Sequence, residues 1–281
     1  MDNKRVYVYI DGSSNSDSLC DYGVNVAKTL NLELKLLNTV EHSHTSKKIN
    51  LSGNIGLGAR EDILEELSKE EADESKMLIS KGKEALNHAR ERVISNGYLN
   101  IITSQRHGSL YENLIELEGN IRVLIIGLRG KDSEGNNLGI GKQVEEIIRS
   151  LHVPTLLINT AFTPIKSVLI AYDGSEASEK ALDMIAKTPI FGNIKRYIVS
   201  VNKSEGLLQN AKKRLEDSNI EATAVMLKGD PLEEILSYQE KNNIDIIAMG
   251  AFSHSRIRDA LFGSFTHAML LKVKKPLLLL R

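Results

Sequence analysis

Short apolar runs alternate with stretches of helical spacing, and the whole alternation occurs twice. VYVYI, from Val6, leads into Asp11-Gly12-Ser13; SVLIAY, from Ser167, leads into Asp173-Gly174-Ser175. Runs of this length, rich in Val, Ile and Tyr and closed by turn residues, predict buried strands. Leu19, Gly23, Val26 and Leu30 then recur at helical spacing, as do Ala177, Ala181, Met184 and Ile185. Later landmarks pair too: Leu124-IIGLRG with Ile246-IAMGAFS, and Gly141-KQVEEIIRSLHVPTLLI with Gly263-SFTHAMLLKVKKPLLLL. Strands alternating with helices predict an α/β fold of parallel sheet with helices on both faces. The expected arrangement is two tandem, open, five-stranded sheets, not one continuous sheet, over residues 1–160 and 164–281.

Offsets locate the difference between the halves. Asp11 and Asp173 lie 162 residues apart, but Gly141 and Gly263 lie 122 apart, as do Pro154 and Pro276. The first half therefore carries about 40 extra residues, an insertion placed at about 43–82. Its start is polar and Gly-rich, which predicts a loop. Residues 61–95 lack Pro and carry Ile63, Leu67, Leu86, Ala89 and Val93 among Glu and Lys, which predicts one long helix or two shorter ones.

Composition narrows the function classes. The chain of 281 residues has 36 Lys+Arg against 37 Asp+Glu, which argues against a nucleic-acid or membrane-surface partner. The first half sums to −4 and the second to +3, too little to name a partner. The one cysteine, Cys20, excludes an internal disulfide and a cysteine zinc cluster and reads as a small helix residue. The N-terminal sequence has no signal-peptide pattern and no apolar stretch is long enough to span a bilayer, so a cytoplasmic location is expected.

Ligands of an open parallel sheet bind beyond the carboxyl ends of its strands. Two loops of the second half fall there: Asp173-Gly174-Ser175, and Gly250-AFSHSRIRDALF-Gly263-Ser264. Gly250 would admit a ligand without a Cβ clash. Gly263-Ser264 opens a helix whose free N–H groups favour an anion. Ser264 and Thr266 add hydroxyls, and His254, Arg256 and Arg258 add positive charge. An ordinary strand–loop–helix connection with solvated arginines is the plainer alternative.

These residues carry a family resemblance. Both halves resemble universal stress protein domains, so the whole chain resembles a tandem universal stress protein. The markers are YDGS, the segment KGDPLEEI from Lys228, IDIIAMG ending at Gly250, and the apolar strand after Pro276. ATP-binding members of that family show Gly, two residues, Gly, nine residues, Gly, then Ser or Thr. Here Gly250, Ser253, Gly263 and Ser264 keep the spacing, with Ser253 in place of the second glycine. The resemblance implies an adenine-nucleotide alpha hydrolase-like, Rossmann-like fold, and ATP or AMP as ligand, with magnesium. It implies Asp173 near adenine or ribose, Val201 lining the adenine pocket, and Gly250, Ser253, Gly263 and Ser264 on ribose and phosphates. It also implies pairing of the halves through their final strands, Thr155–Ile158 and Leu277–Leu280. Because two-fold dimers are the commonest oligomers, a further homodimer is expected, with the 61–95 helical insertion as a candidate contact.

The first half departs further. Asp11 remains, Gly127 and Gly130 match the front of the motif, but Gly141 comes ten residues later rather than nine. Lys142 stands where Ser or Thr is expected, Val144 replaces Thr266, and Thr39 stands for Val201. This reads as a degenerate site. Other signals fail. A phosphate loop ending at Gly141-Lys142 would need glycine at Asn136 and Ser or Thr at Gln143. The glycines of 53–58 follow no strand, the histidines form no cluster for a protein-only metal site, and no nucleophile elbow or triad is present. Asn202-Lys203-Ser204 matches a glycosylation triplet by chance. The leading expectation is a nucleotide-binding stress-response sensor or regulator without dedicated chemistry. The alternatives are a non-nucleotide-binding scaffold of the same fold, and a slow ATP hydrolase.

Overall fold

A computed structural model describes residues 4–41, 57–129, 140–188, 190, 192–251 and 263–281, with backbone only at 57–71 and 142. The first half runs β1 (Arg5–Tyr9), α1 (Ser16–Leu30), β2 (Leu34–Val40), α2 (Leu57–Ser95), β3 (Ile101–His107), α3 (Leu110–Leu117), β4 (Ile121–Gly127), α4 (Lys142–Ser150) and β5 (Thr155–Ile158). The second runs β6 (Ser167–Ala171), α5 (Glu176–Lys187), β7 (Lys195–Val201), α6 (Glu205–Glu216), β8 (Thr223–Leu227), α7 (Pro231–Lys241), β9 (Ile246–Gly250), α8 (Ser264–Lys272) and β10 (Leu277–Leu280). Strand order is β3-β2-β1-β4-β5 in one half and its mirror in sequence, β10-β9-β6-β7-β8, in the other.

The expectation of two separate sheets is corrected: the ten strands form one sheet. All pairs within each half are parallel, and β5 meets β10 antiparallel, with Leu277 opposite Leu157 and Leu278 opposite Leu156. Both strands are buried along their whole length. An edge of bare Leu and Ile backbone would expose apolar side chains and unpaired N–H and C=O groups together, and joining the two edges removes both costs. The final strands thus meet where expected, and their meeting is what fuses the sheets.

Reciprocal caps finish this junction. Arg281, just past β10, donates from Nη1 to the carbonyls of Arg149 at 2.8 Å and Leu151 at 2.9 Å, at the end of α4. Asn159, just past β5, donates from Nδ2 to the Val273 carbonyl at 2.7 Å, at the end of α8. Each half's last residue therefore satisfies carbonyls that the other half's last helix leaves open.

Two apolar layers flank the sheet. One packs α1, α2, α5 and α6 through residues such as Leu19, Leu86, Ala181 and Leu208. The other packs α3, α4, α7 and α8 through residues such as Leu114, Ile147, Ile235 and Met269. The helix expected over 61–95 is a single one, α2, and its Leu86, Ala89 and Val93 are buried as the apolar pattern requires, while the loop expected at the start of the insertion, 42–56, lies outside the described residues. Arg92 grips Asp21 of α1 with two bonds, Nε to Oδ1 at 2.9 Å and Nη2 to Oδ2 at 2.7 Å. Cys20 lies beneath this contact; burial, with Asp17 and Asp21 nearby, pushes its thiol up to about 12, so it is a packing residue rather than a nucleophile. Among the described residues no helix is long and apolar enough to cross a membrane.

Candidate functional site at the carboxyl ends of the second half's strands

The turn after β6 is built by its own aspartate. Asp173 accepts the Ser175 N–H at 3.0 Å, and Gly174 between them takes a φ of 78° that a side chain would resist. Ser175 then caps α5, accepting the Ser178 N–H at 3.3 Å. Burial works against ionisation of Asp173, but the Ser175 hydroxyl and N–H, the Ser178 hydroxyl and Lys203 outweigh it and hold the carboxyl below its ordinary value. The first half repeats the turn: Ser13 N–H donates to Asp11 Oδ1 at 2.9 Å across Gly12, whose φ is 74°. There the helix start is poorer, because Asn15 makes no side-chain cap.

At the end of β7, Val201 is buried in the layer of α7 and α8. Thr39, its counterpart on β2, is half-buried with its hydroxyl 3.2 Å from the Tyr9 hydroxyl. Asn202, beyond Val201, has a φ of 55°. Its Nδ2 donates to the Gly229 carbonyl at 2.7 Å and its Oδ1 accepts the Gly229 N–H at 3.1 Å, tying the ends of β7 and β8 together. Ser204 caps α6 by accepting the Leu207 N–H at 3.3 Å. The triplet that matches a glycosylation signal by chance is thus a local brace and a helix cap. Asn in the left-handed region just after a strand was the available signal for it.

Gly250 has a packing role that the sequence reading did not give it. A Cβ there would lie 2.2 Å from the Ala177 carbonyl oxygen and 2.7 Å from the Ser178 nitrogen. Its bareness lets the first turn of α5 sit directly on β9, so packing alone requires the glycine. Gly127, at the same place on β4, would bring a Cβ only to 3.2 Å from the Arg129 carbonyl oxygen.

The last element is the start of α8. Gly263 is its N-cap, with ψ of 136°, no side-chain cap and no acidic residue in the first turn. Among the described residues, a Cβ on Gly263 would meet nothing within 4 Å. Ser264 is exposed and Thr266 is buried in this first turn. Among the described residues, therefore, no side chain caps the first N–H groups of α8, where the positive end of the helix dipole lies. Gly141 begins α4 in the same backbone shape, ψ 136°, but Glu145 stands in that first turn. Gln143 there turns away to donate to Glu41 at 3.0 Å. Of the sequence-read site residues, the structure brings Asp173, Val201, Gly250, Gly263, Ser264 and Thr266 to the same end of the sheet. Asp11, Thr39, Gly127 and Gly141 take the matching places in the first half. Ser253, His254, Arg256, Arg258 and Gly130 lie outside the described residues, as does the side chain of Lys142.

One feature lies where the sequence read the degenerate first-half site, at Asp11 and Thr39. A cavity of about 610 Å³ opens in the first half between α1 and α2, lined among others by Asp11, Ser13, Asp17, Asn38, Gly82 and Ala85. Its floor is a polar clasp: Asn38 donates to the Ile10 carbonyl at 2.8 Å and accepts from Gln105 at 3.1 Å. Gly82 lets α2 pass over this clasp, since a Cβ would lie 2.3 Å from Asn38 Oδ1.

A family model described as the universal stress protein family matches residues 2–159 and 196–281. A universal stress protein of Synechocystis sp., Slr1230, is 32% identical, with 99% of this chain aligned to 100% of that protein. Among solved structures, a universal stress protein from Archaeoglobus fulgidus superposes with a TM-score of 0.74 at 19% identity, covering 100% of this chain and 99% of that one. One from Pseudomonas aeruginosa UCBPP-PA14, described as a putative universal stress protein, gives 0.62 at 14% identity, covering 99% and 93%. The two structures agree in fold with the repeated halves joined here by β5 and β10. The full-length relative and the family match carry the assignment, and the chain belongs to the universal stress protein family.

Proposed function

We propose that the second half binds one adenine nucleotide, ATP or AMP, and that the protein acts as a sensor or regulator rather than as an enzyme. The phosphates lie on the open first turn of α8, with magnesium accompanying ATP, and the base lies towards Asp173 and Val201. The observation that carries this reading is the contrast between two helix starts of the same backbone shape. Among the described residues the first turn after Gly263 holds no acid and has the hydroxyls of Ser264 and Thr266, whereas the turn after Gly141 carries Glu145, paired with Arg149, and has Lys142 and Val144 in place of the hydroxyls. Ser253 and His254 are proposed to complete the phosphate loop. The wider role as a cytoplasmic homodimer, with α2 as the contact, belongs to the same proposal, and light scattering at 31 kDa across micromolar concentrations would overturn that part.

An Arabidopsis thaliana universal stress protein family protein has been solved with AMP bound, and another universal stress protein in complex with cAMP. Those ligands belong to those proteins, and AMP, cAMP and ATP with magnesium serve as probes for this one. Calorimetry should give one nucleotide per chain, and the denatured supernatant of purified protein should release an adenine nucleotide. No binding of any probe would favour the scaffold alternative. Sustained phosphate release from ATP, lost in Asp173→Ala, would overturn the non-enzymatic reading.

A further inference from the structure

The two Asp-Gly-Ser turns share their internal hydrogen bond but differ in what stands behind them. Behind Gly174 is Leu207 of α6: a Cβ on that glycine would lie 2.9 Å from Leu207 Cδ1 and 3.1 Å from Cδ2. Behind Gly12 the nearest atom is the Ala85 methyl of α2, 3.5 Å from the same construction. Positions 85 and 207 are equivalent, separated by the 122 residues that separate Gly141 from Gly263. The ion pairs confirm the register. Arg214 of α6 bridges to Asp183 of α5 just as Arg92 of α2 grips Asp21 of α1. So the helices sit alike in both halves where they correspond, and Leu207 fills space behind the Gly174 turn that Ala85 leaves unfilled behind the Gly12 turn. The cavity of about 610 Å³ adjoins the Gly12 turn and Ala85, and is also lined by Leu78, Lys81 and Gly82 of α2, a stretch with no counterpart on α6.

We infer that Leu207 is a positioning residue of the second-half site: it buttresses the Asp173-Gly174-Ser175 turn and thereby fixes the carboxylate that faces the ligand. Leu207 is itself well held. Its N–H is capped by Ser204, it packs against the apolar layer, and its helix is tied to α5 by Arg214 through Glu179 as well as Asp183. A turn backed by packed branched carbon keeps one geometry, whereas a turn over a void has room to move. Removing the Leu207 branches leaves the Gly174 turn with the freedom that Gly12 already has. Ligand binding must then pay for ordering that the wild-type chain has already completed.

This inference deepens the nucleotide reading and, for its affinity arm alone, rests on it. The direct test is amide hydrogen exchange of the ligand-free full chain. In Leu207→Ala the Ser175 amide, which donates to Asp173, is expected to exchange about tenfold faster while the β6 and β9 amides are unchanged. Leu207→Met should restore slow exchange. Ala85→Leu should slow the Ser13 amide by filling the first-half void. In calorimetry, Leu207→Ala should weaken AMP about tenfold and Leu207→Met should recover it. An unchanged Ser175 amide in Leu207→Ala overturns the inference, and so does a uniform acceleration of all amides, which would mark a purely structural role. If the parent binds no nucleotide, the functional reading fails, and the exchange result still decides the buttress.

Discussion

The two halves answer the same topology with different local chemistry, and the contrast separates what the fold needs from what a ligand needs. Both halves keep the Asp-Gly-Ser turn, the positive φ at its glycine and a glycine N-cap on the last helix. The turn and its positive φ recur because the strand-to-helix geometry demands them. What differs is the acid in the first turn of the last helix, the residue behind the Asp turn, and the side chain after the second strand. Val201 and Leu207 also pack against the apolar layers, so the nucleotide proposal is tested at these positions by binding and not by stability alone.

The largest difference expected between the halves is in packing. Gly250→Ala should destabilise the protein by about 3 kcal/mol or more, because the new methyl meets the α5 backbone, which cannot move like a flexible side chain. Gly127→Ala, whose nearest contact is looser, should cost under about 1 kcal/mol. Chemical denaturation of the two variants checks this; equal costs would mean that α5 and β9 are not so closely apposed.

Next come the reciprocal caps. Arg281→Ala should cost about 1–2 kcal/mol, since it strips a half-buried cation from the carbonyls ending α4. Asn159→Ala should cost less, about 1 kcal/mol, because its Oδ1 has no partner among the described residues and the bond lost is the one to Val273. A reversed order would show that the junction leans on β5–β10 pairing rather than on these caps.

Smaller still is the difference between helix starts. Ser175→Ala should cost about 1 kcal/mol, while Asn15→Ala, which removes no side-chain cap, should fall within about 0.5 kcal/mol of the parent. The smallest effect is a pH dependence. The folded-state pKa of Asp173 is depressed, so its contribution to stability is present above the unfolded-state value and is lost as pH falls through the folded value. The stability advantage of the parent over Asp173→Asn should therefore shrink as the solution is acidified below the ordinary carboxylate range. An advantage that grows on acidification would contradict the depressed value.

The repeat, the alternation of strands with helices and the single-helix option for residues 61–95 were legible because periodicity and turn residues are local signals. The meeting of the two final strands was implied by family resemblance, yet the fused sheet was not foreseen. Edge-to-edge pairing is decided by what two distant edges cost when exposed, not by either edge's own pattern. Asp173, Gly263 and Thr266 fell at the carboxyl end of the sheet, as their place after strands required. The packing role of Gly250 was not legible: the sequence could not tell a glycine bare for a ligand from one bare for α5. Leu207 left no trace, because its role depends on one side chain's size behind a turn 33 residues away in sequence, at Gly174. The size of the cavity at Asp11 and Thr39 was not legible either, because α2 forms one of its walls. Asn202 was visible only as a chance motif.

The central claim is that the second half alone holds the nucleotide, and calorimetry of AMP and ATP with magnesium on two matched variants tests it most directly. Gly263→Asp places a carboxylate at the open start of α8 and should weaken binding by about 2 kcal/mol or more through lost charge-assisted contact and repulsion. Gly141→Asp, beside a turn that already carries Glu145, should leave affinity and the stoichiometry of one per chain unchanged. Equal losses in the two variants, or a loss confined to Gly141→Asp, would contradict the account.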